Sequence, residues 1–291
     1  MAHRNKTYKD DKQMIKEKAE RLLYPYLTFS ILIFAWYFVF YIVLPNTPDE
    51  SLRSVLIKMV TTYGYHALWF LPALFFSTLL FLFINKSRKS NLVFIILIIV
   101  GGILGVFINI PTIKKYLFGW YIFNYFTRII IATGFIYLGS IWKCVDEKIQ
   151  NKKIEWLFIL MTLLCSVSLQ QFNFNKVNIS SSRIGNPFLF YILAVAGSVF
   201  IILLCKRLNL HSGILNFWGR NSLIIMAIHM DFPVVIAWII IGKSGLSTSL
   251  SQLGASGIVI IIELIIESVC IILINKFLGF MITYRRGNIK T

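Results

Sequence analysis

The chain has 291 residues, of which 57% are hydrophobic, and it carries 29 Lys and Arg against 12 Asp and Glu. So large an apolar fraction leaves little sequence for a soluble domain, and it predicts that one membrane domain makes up most of the protein. The surplus cations lie mainly between apolar runs, where membrane orientation and anionic headgroups account for them, so the composition argues against nucleic-acid binding.

Eight apolar stretches, taken in chain order, predict an all-α, polytopic helical membrane protein. Each approaches or exceeds the ~17–25 residues that a membrane-crossing helix needs. They cover residues 22–44, 67–84, 92–110, 117–142, 156–170, 187–205, 221–241 and 256–275. The chain is therefore predicted to contain a basic amphipathic segment at 1–21, a transmembrane domain at 22–275 and a basic tail at 276–291.

Lys and Arg are distributed unequally between the segments that join these stretches. The richer set, with 21 of the 29 cations, comprises residues 1–21, 85–91, 143–155, 206–220 and 276–291. The poorer set, with 7, comprises residues 45–66, 111–116, 171–186 and 242–255. Because cytoplasmic segments retain cations, both termini are predicted to be cytoplasmic, as in a multi-pass protein of the plasma (inner) membrane. Frequent Ile, Lys and Asn are typical of an AT-rich bacterium.

The four cysteines give no sign of a metal site. They lie within or at the inner ends of the predicted spans, with no CxxC pair and no histidine at metal-ligand spacing. Neither a disulfide framework nor a zinc site is expected.

Arg128 is a cation inside a predicted span, and Asn124 lies four residues before it on the same helix face. An ionised group in hydrocarbon costs roughly 2.5–3.5 kcal/mol, so it must meet a partner or a cavity. Arg128 is therefore expected either to bind an anionic group in a central cavity or to form a structural ion pair with a membrane carboxylate.

Glu263 and Glu267 also lie four residues apart on one helix face. Because two like charges there would repel, at least one should be protonated or paired with a cation such as Arg128. The pair suits proton handling or acceptor binding, and it equally suits a buried structural role.

His229 lies about 12 Å into its predicted span, at 1.5 Å per residue. Asp231 follows it, and Pro233 must disturb the helix by removing a hydrogen bond. Broken backbone at membrane depth is tolerated where protein buries it or where it lines a wet cavity. An imidazole there can remove a proton from a hydroxyl nucleophile, although helix packing is the simpler role.

The glycines of the sequence GGILG at 101–105 have the GxxxG spacing. This spacing predicts a close contact between helices and not a phosphate loop, since no strand precedes it.

Three stretches together resemble the membrane acyltransferase-3 family, particularly its branch of fucose 4-O-acetylase-like O-acetyltransferases of surface sugars. Residues 18–26 (KAERLLYPY) resemble a basic loop that runs into an "R-x-L-x-P-Y" helix start. Residues 67–75 (ALWFLPALF) are similar to the "WFLPALF" segment, and residues 218–229 (WGRNSLIIMAIH) to the "G-R/K-N-S-L…H" segment. The order and spacing of the three cover essentially the whole chain.

The chain departs from the family pattern at its N-terminal end. Members usually have ten spans, with the catalytic histidine in the first span after an arginine, and this chain resembles them only from the loop after the second span. The expectation is a shortened member that lacks that hairpin. His3 is no substitute, because it lies outside any span.

The resemblance implies transfer of an acyl group, usually acetyl, from cytoplasmic acyl-CoA to a hydroxyl of a cell-surface or lipid-linked glycan. It implies acetyl-CoA or another acyl-CoA as the donor substrate, no metal, and a glycan acceptor and membrane lipids as partners. A homo-oligomer is compatible with the sequence.

A polyanionic CoA should enter at a cationic inner mouth, beside a helix N-terminus that favours anions. The candidate donor-binding residues are Lys18, Arg21, Arg128, Arg220, Asn221 and Ser222. The candidate catalytic residues are His229, Glu263 and Glu267.

Two other functions fit the same sequence. A catalytically degenerate relative would bind or help assemble surface glycans, and it would explain the missing histidine. A small-solute or glycan-lipid transporter would use the charged membrane residues and the helix broken near Pro233, although no matching pair of interrupted spans is visible.

Overall fold

The structure is a computed structural model of the chain. It describes residues 11–43, 51–108, 110, 119–147, 151–173, 177–208, 212–230, 232–244 and 252–279. Within these residues the regular elements are helices, with one isolated β-bridge and no strand, which confirms the all-α fold class.

The α-helices are α1 Asp11–Val43, α2 Leu52–Val60, α3 Phe70–Asn85, α4 Ser90–Phe107, α5 Trp120–Asp146, α6 Lys152–Gln170, α7 Pro187–Leu208, α8 Gly213–Arg220, α9 Ser222–Ile228, α10 Phe232–Ser244 and α11 Gln252–Phe277. Two 3-10 helices, His66–Trp69 and Ile179–Ser181, complete the described elements.

Seven helices in the described residues are long and apolar enough to cross a membrane, by length and composition. They correspond to seven of the eight predicted spans. The remaining stretch, 221–241, is divided: α9 ends at Ile228 and α10 begins at Phe232. The helix is thus broken next to Pro233, as predicted. Pro233 is the second residue of α10, where a missing N–H costs no helical hydrogen bond, so the break lies directly before the proline.

The chain forms two compact units. Met1–Phe75 and Ser212–Thr291 form the first unit, and Phe76–His211 form the second. The stretch 22–275, predicted as one domain, therefore contains two compact bodies, and the first is built from both ends of the chain.

In the first unit, α2 packs along α1. Residues 45–66 are predicted above to form an external loop, but Val55 and Met59 of α2 are buried in an apolar cluster with α1, α9 and α11. The Tyr26 hydroxyl donates a 2.6 Å hydrogen bond to the Met59 carbonyl. Tyr26 precedes the end of α1, Val43, by 17 residues, or about 25 Å along the axis. Residues 51–69 therefore pack along the predicted span of α1, as a re-entrant segment would, and they are called the re-entrant segment below.

The end of α2 has its carbonyl groups satisfied locally. The Thr61 hydroxyl donates to the Ile57 carbonyl at 2.7 Å, and the Gly64 N–H donates to the Lys58 carbonyl at 2.9 Å. Such pairing allows a helix to end at membrane depth, because hydrocarbon supplies no partner for unpaired backbone.

In the second unit, α4 packs against α5 and α7 through its glycines. A Cβ at Gly101 would lie 3.1 Å from the Tyr191 hydroxyl and 3.2 Å from Ile130, and one at Gly105 would lie 2.7 Å from the Ile184 Cδ1. The predicted close contact at the GxxxG spacing is thus confirmed.

The predicted inner ends of α5, α6 and α7 are joined by ion pairs. The buried carboxylate of Glu155 pairs with Arg207 and, at 3.2 Å, with the Lys206 Nζ. Lys206 also contacts Asp146 at 3.0 Å. These contacts hold three helices of the second unit together at one end.

Candidate functional site

A polar joint connects α8 and α9 to α11 in the first unit. Asn221 ends α8 with φ −106° and ψ 13°, a conformation outside the helical region. Its Nδ2 donates to the Phe217 carbonyl at 2.8 Å, and its Oδ1 accepts from the Asn275 Nδ2 at 2.8 Å. A carboxamide can form four hydrogen bonds, and these two leave capacity for a ligand.

A polar pocket of about 490 Å³ lies beside this joint. It is lined by Gly213, Asn216, Phe217, Arg220, Asn221 and Asn275. The four residues that α8 contributes recur at spacings of three and four, so they share one helix face. A guanidinium with several amide groups is a donor set that suits phosphate oxygens.

The opposite side of α8 is fixed to α11. The Trp218 indole N–H donates to the Ser268 hydroxyl at 3.0 Å, and that hydroxyl donates to the Leu264 carbonyl at 2.7 Å. This contact and the asparagine pair attach α8 to α11 at two points, so the pocket has a fixed wall.

His229 directly follows α9, where the helix is interrupted. Its Nδ1 lies 3.2 Å from the Ile225 carbonyl and 3.1 Å from the Met226 carbonyl. Because carbonyl oxygens only accept, Nδ1 is the donor in these contacts, and Nε2 is the ring nitrogen left for a substrate.

Glu267 on α11 lies within electrostatic range of both Glu263 and His229. Its side chain is 3% exposed, and a buried carboxylate stabilises an imidazolium that forms nearby. The structure therefore brings the three candidate catalytic residues into one neighbourhood of the first unit.

The other candidate donor-binding residues of the first unit are placed differently. Lys18 is half-buried on α1 and Arg21 is exposed. Ser222 is the exposed first residue of the seven-residue α9. Of the six donor-binding candidates, Arg220 and Asn221 are among the described residues that line the pocket.

Arg128 belongs to the second unit, where it is 2% exposed. It donates to the Ser180 carbonyl, and Asn124 Nδ2 donates to the same oxygen at 3.2 Å. The Ser182 hydroxyl donates to Asn124 Oδ1 at 2.5 Å. The shared face of Asn124 and Arg128 therefore holds a connecting loop, whereas His229, Glu263 and Glu267 lie in the first unit.

Comparison with known proteins identifies the family. A family model described as an acyltransferase domain matches residues 1–273. The chain belongs to the acyltransferase-3 family. No curated protein and no solved structure matches it.

The three acyltransferase-3 motifs meet in the apolar cluster of the first unit. Tyr26 of the first motif, Leu68 and Leu71 of the second, and Ile224 and Ile228 of the third are all buried there. Residues separated by up to about 200 positions thus pack together and position the joint at Asn221 and the break at His229.

Four residues that contribute polar side-chain groups to this site are absent from the sequence-based candidates: Asn216, Trp218, Ser268 and Asn275. Asn216 precedes Arg220 by one helical turn, and that spacing could have identified it. Asn275 stands at the end of an apolar run, where a polar residue normally marks only a span end. Its pairing with Asn221 depends on how α11 passes the joint, which no local pattern encodes.

Proposed function

We propose that this protein transfers an acetyl or other acyl group from cytoplasmic acyl-CoA to a hydroxyl of a cell-surface or lipid-linked glycan, as a fucose 4-O-acetylase-like member of its family. The observation that carries the proposal is the polar pocket at Arg220, which opens beside the helix that leads to His229. The pocket for a polyanion and the imidazole of His229 lie at successive positions of the same chain segment.

The arrangement suits acyl transfer. Arg220, Asn216 and Asn275 would bind phosphate groups of CoA, so that its thioester extends along α9 towards His229. His229, with buried Glu267 beside it, would stabilise the negative charge that develops on the thioester oxygen. Each role uses a group whose placement is described above.

The donor site is tested by CoA binding to the purified protein in detergent. Loss of a charge-assisted contact to phosphate, worth about 1.5–3 kcal/mol, should weaken binding by about 10–100-fold in Arg220→Ala. Arg88→Ala is the matched control, because Arg88 is also an exposed cation of a predicted inner loop and does not line the pocket. Equal affinities of the two variants would reject the pocket as the donor site.

The transfer is tested by following labelled acetyl groups in cells that express the protein. Labelled surface polysaccharide is expected from the wild type, and His229→Ala should abolish it. Unchanged labelling in the variant would remove His229 from the mechanism. Donor binding without transfer would instead identify a degenerate, glycan-binding relative.

One observation favours a transporter as the second candidate. The first unit contains two interrupted segments, one at residues 51–69 and one between the end of α9 at Ile228 and the start of α10 at Phe232, and paired interruptions mark substrate sites in many transporters. Uptake of labelled sugar phosphates into proteoliposomes in the absence of acyl-CoA would favour this function.

A further inference from the structure

The re-entrant segment ends in a strained loop. Thr62, Gly64 and His66 have φ of 56°, 82° and 44°, within the left-handed region that residues other than glycine rarely adopt. Strain of this kind persists only where the surroundings impose it, and it is concentrated at functional sites. Each of the three strained conformations therefore has a cause in its surroundings or a function.

Two of the three conformations are explained by capping and packing. The Thr62 N–H donates to the Met59 carbonyl at 3.2 Å, which helps to close the end of α2. A Cβ at Gly64 would lie 2.3 Å from the Trp69 Cα, so only glycine fits at this position. These two residues make the turn that ends α2.

His66 is different, because its side chain is exposed. Its ring stacks on Tyr65 with centroids 4.0 Å apart, and Tyr65 is buried against Tyr37 at 5.7 Å. The buried tyrosine therefore fixes an imidazole that itself contributes nothing to the core. Tyr37 precedes Val43 by six residues, or about 9 Å along the axis, so the ring contacts place His66 beside the half of α1 that is nearer its predicted outer end.

Two histidines of the first unit, His66 and His229, flank one contact. Leu68 packs in the same apolar cluster as Ile228, and the 3-10 helix that starts at His66 contacts α9. His66 stands two residues before Leu68, and His229 directly follows Ile228. His229 is approached along α9 from the donor pocket, whereas His66 is approached from the predicted outer side.

We propose that His66 is a catalytic residue that takes the proton of the acceptor hydroxyl; this inference rests on the proposed acyl transfer. The acceptor oxygen bonds to the thioester carbonyl carbon, and the carbon–sulfur bond breaks. The proton passes from the hydroxyl to the imidazole and then to the departing CoA sulfur, so the products are an ester and a free thiol. The strained backbone holds the imidazole towards the acceptor.

Two variants separate this role from a structural one. Asparagine tolerates the left-handed region and glycine prefers it, so His66→Asn and His66→Gly should keep the fold. Both should bind CoA with wild-type affinity and transfer labelled acetyl at least about 100-fold more slowly. Added imidazole should restore part of the activity of His66→Gly. Thr62→Gly, a control in the same loop, should transfer at the wild-type rate.

Three results would overturn the proposal while the acyltransferase function stands. They are wild-type transfer by either His66 variant, a loss of transfer that follows a lower melting temperature or weaker CoA binding, and a folded, CoA-binding His66→Gly that imidazole does not restore. A wild-type protein that neither binds CoA nor transfers acetyl would overturn both proposals.

Discussion

Glu155→Gln should destabilise the second unit more than any exposed charge change at the same end. The carboxylate is 5% exposed and pairs with Arg207, which is 18% exposed, and with Lys206, which is 44% exposed. Loss of one partner from a buried pair costs about 3–5 kcal/mol. Part of this cost is offset, because Lys206 is partly solvated and keeps its ion pair with Asp146. We therefore expect Glu155→Gln to lower the free energy of unfolding by about 2–3 kcal/mol.

The matched control is Glu147→Gln, which removes the same charge from the same end. Glu147 lies 3.9 Å from Lys143, and both side chains are well exposed, at 66% and 59%. An exposed pair of this kind contributes about 0.3–0.5 kcal/mol. Unfolding of both variants is measured by circular dichroism as the mole fraction of SDS in mixed micelles is raised.

The double variant Glu155→Gln with Arg207→Gln completes the test. Removal of both charges leaves no uncompensated group, so it should be less harmful than the sum of the two single changes. Equal stability of the Glu155 and Glu147 variants, or strictly additive single changes, would refute the reasoning.

Two further predictions concern packing. Gly105→Ala should destabilise the protein, because the added Cβ would lie 2.7 Å from the Ile184 Cδ1. Gly139→Ala is the control and should leave stability unchanged, because its Cβ would have no neighbour within 4 Å. Unfolding of both variants is compared by SDS titration. Tyr26→Phe should lower the free energy of unfolding by about 1 kcal/mol, because it removes the 2.6 Å hydrogen bond to the Met59 carbonyl. Tyr41→Phe, on the exposed face of α1, is the control and should leave stability unchanged. Thermal denaturation in detergent measures both.

Hydropathy predicts most of the membrane helices, because bilayer thickness sets the same apolar length for each one. Hydropathy alone does not show the division of 221–241, since the apolar composition continues on both sides of the break, but Pro233 predicts a break close to the one observed between Ile228 and Phe232. Hydropathy also misses α2, because Arg53 and Lys58 give a nine-residue helix the composition of a polar loop. The buried pair Val55 and Met59, four residues apart, is the weak signal that could have revealed it.

The candidate site was predicted in part. Arg220, Asn221 and His229 lie in one motif, so the resemblance finds them together. Asn275 comes from a distant helix and acts through a side-chain pair, and the strained backbone at His66 depends on the packing of Tyr65. Both features arise from tertiary contacts, which a pattern along the chain does not record.

The division of the chain between its two units has a consequence for biosynthesis. Residues 76–211 are contiguous, so the second unit can assemble while the ribosome is still translating downstream sequence. The first unit must wait, because α1 and α2 pack against α11, which is made only after the whole second unit. Until α11 is inserted, Tyr26 and the re-entrant segment have no complete surface to pack on, and this interval is when membrane chaperones and proteases would meet an unfinished protein.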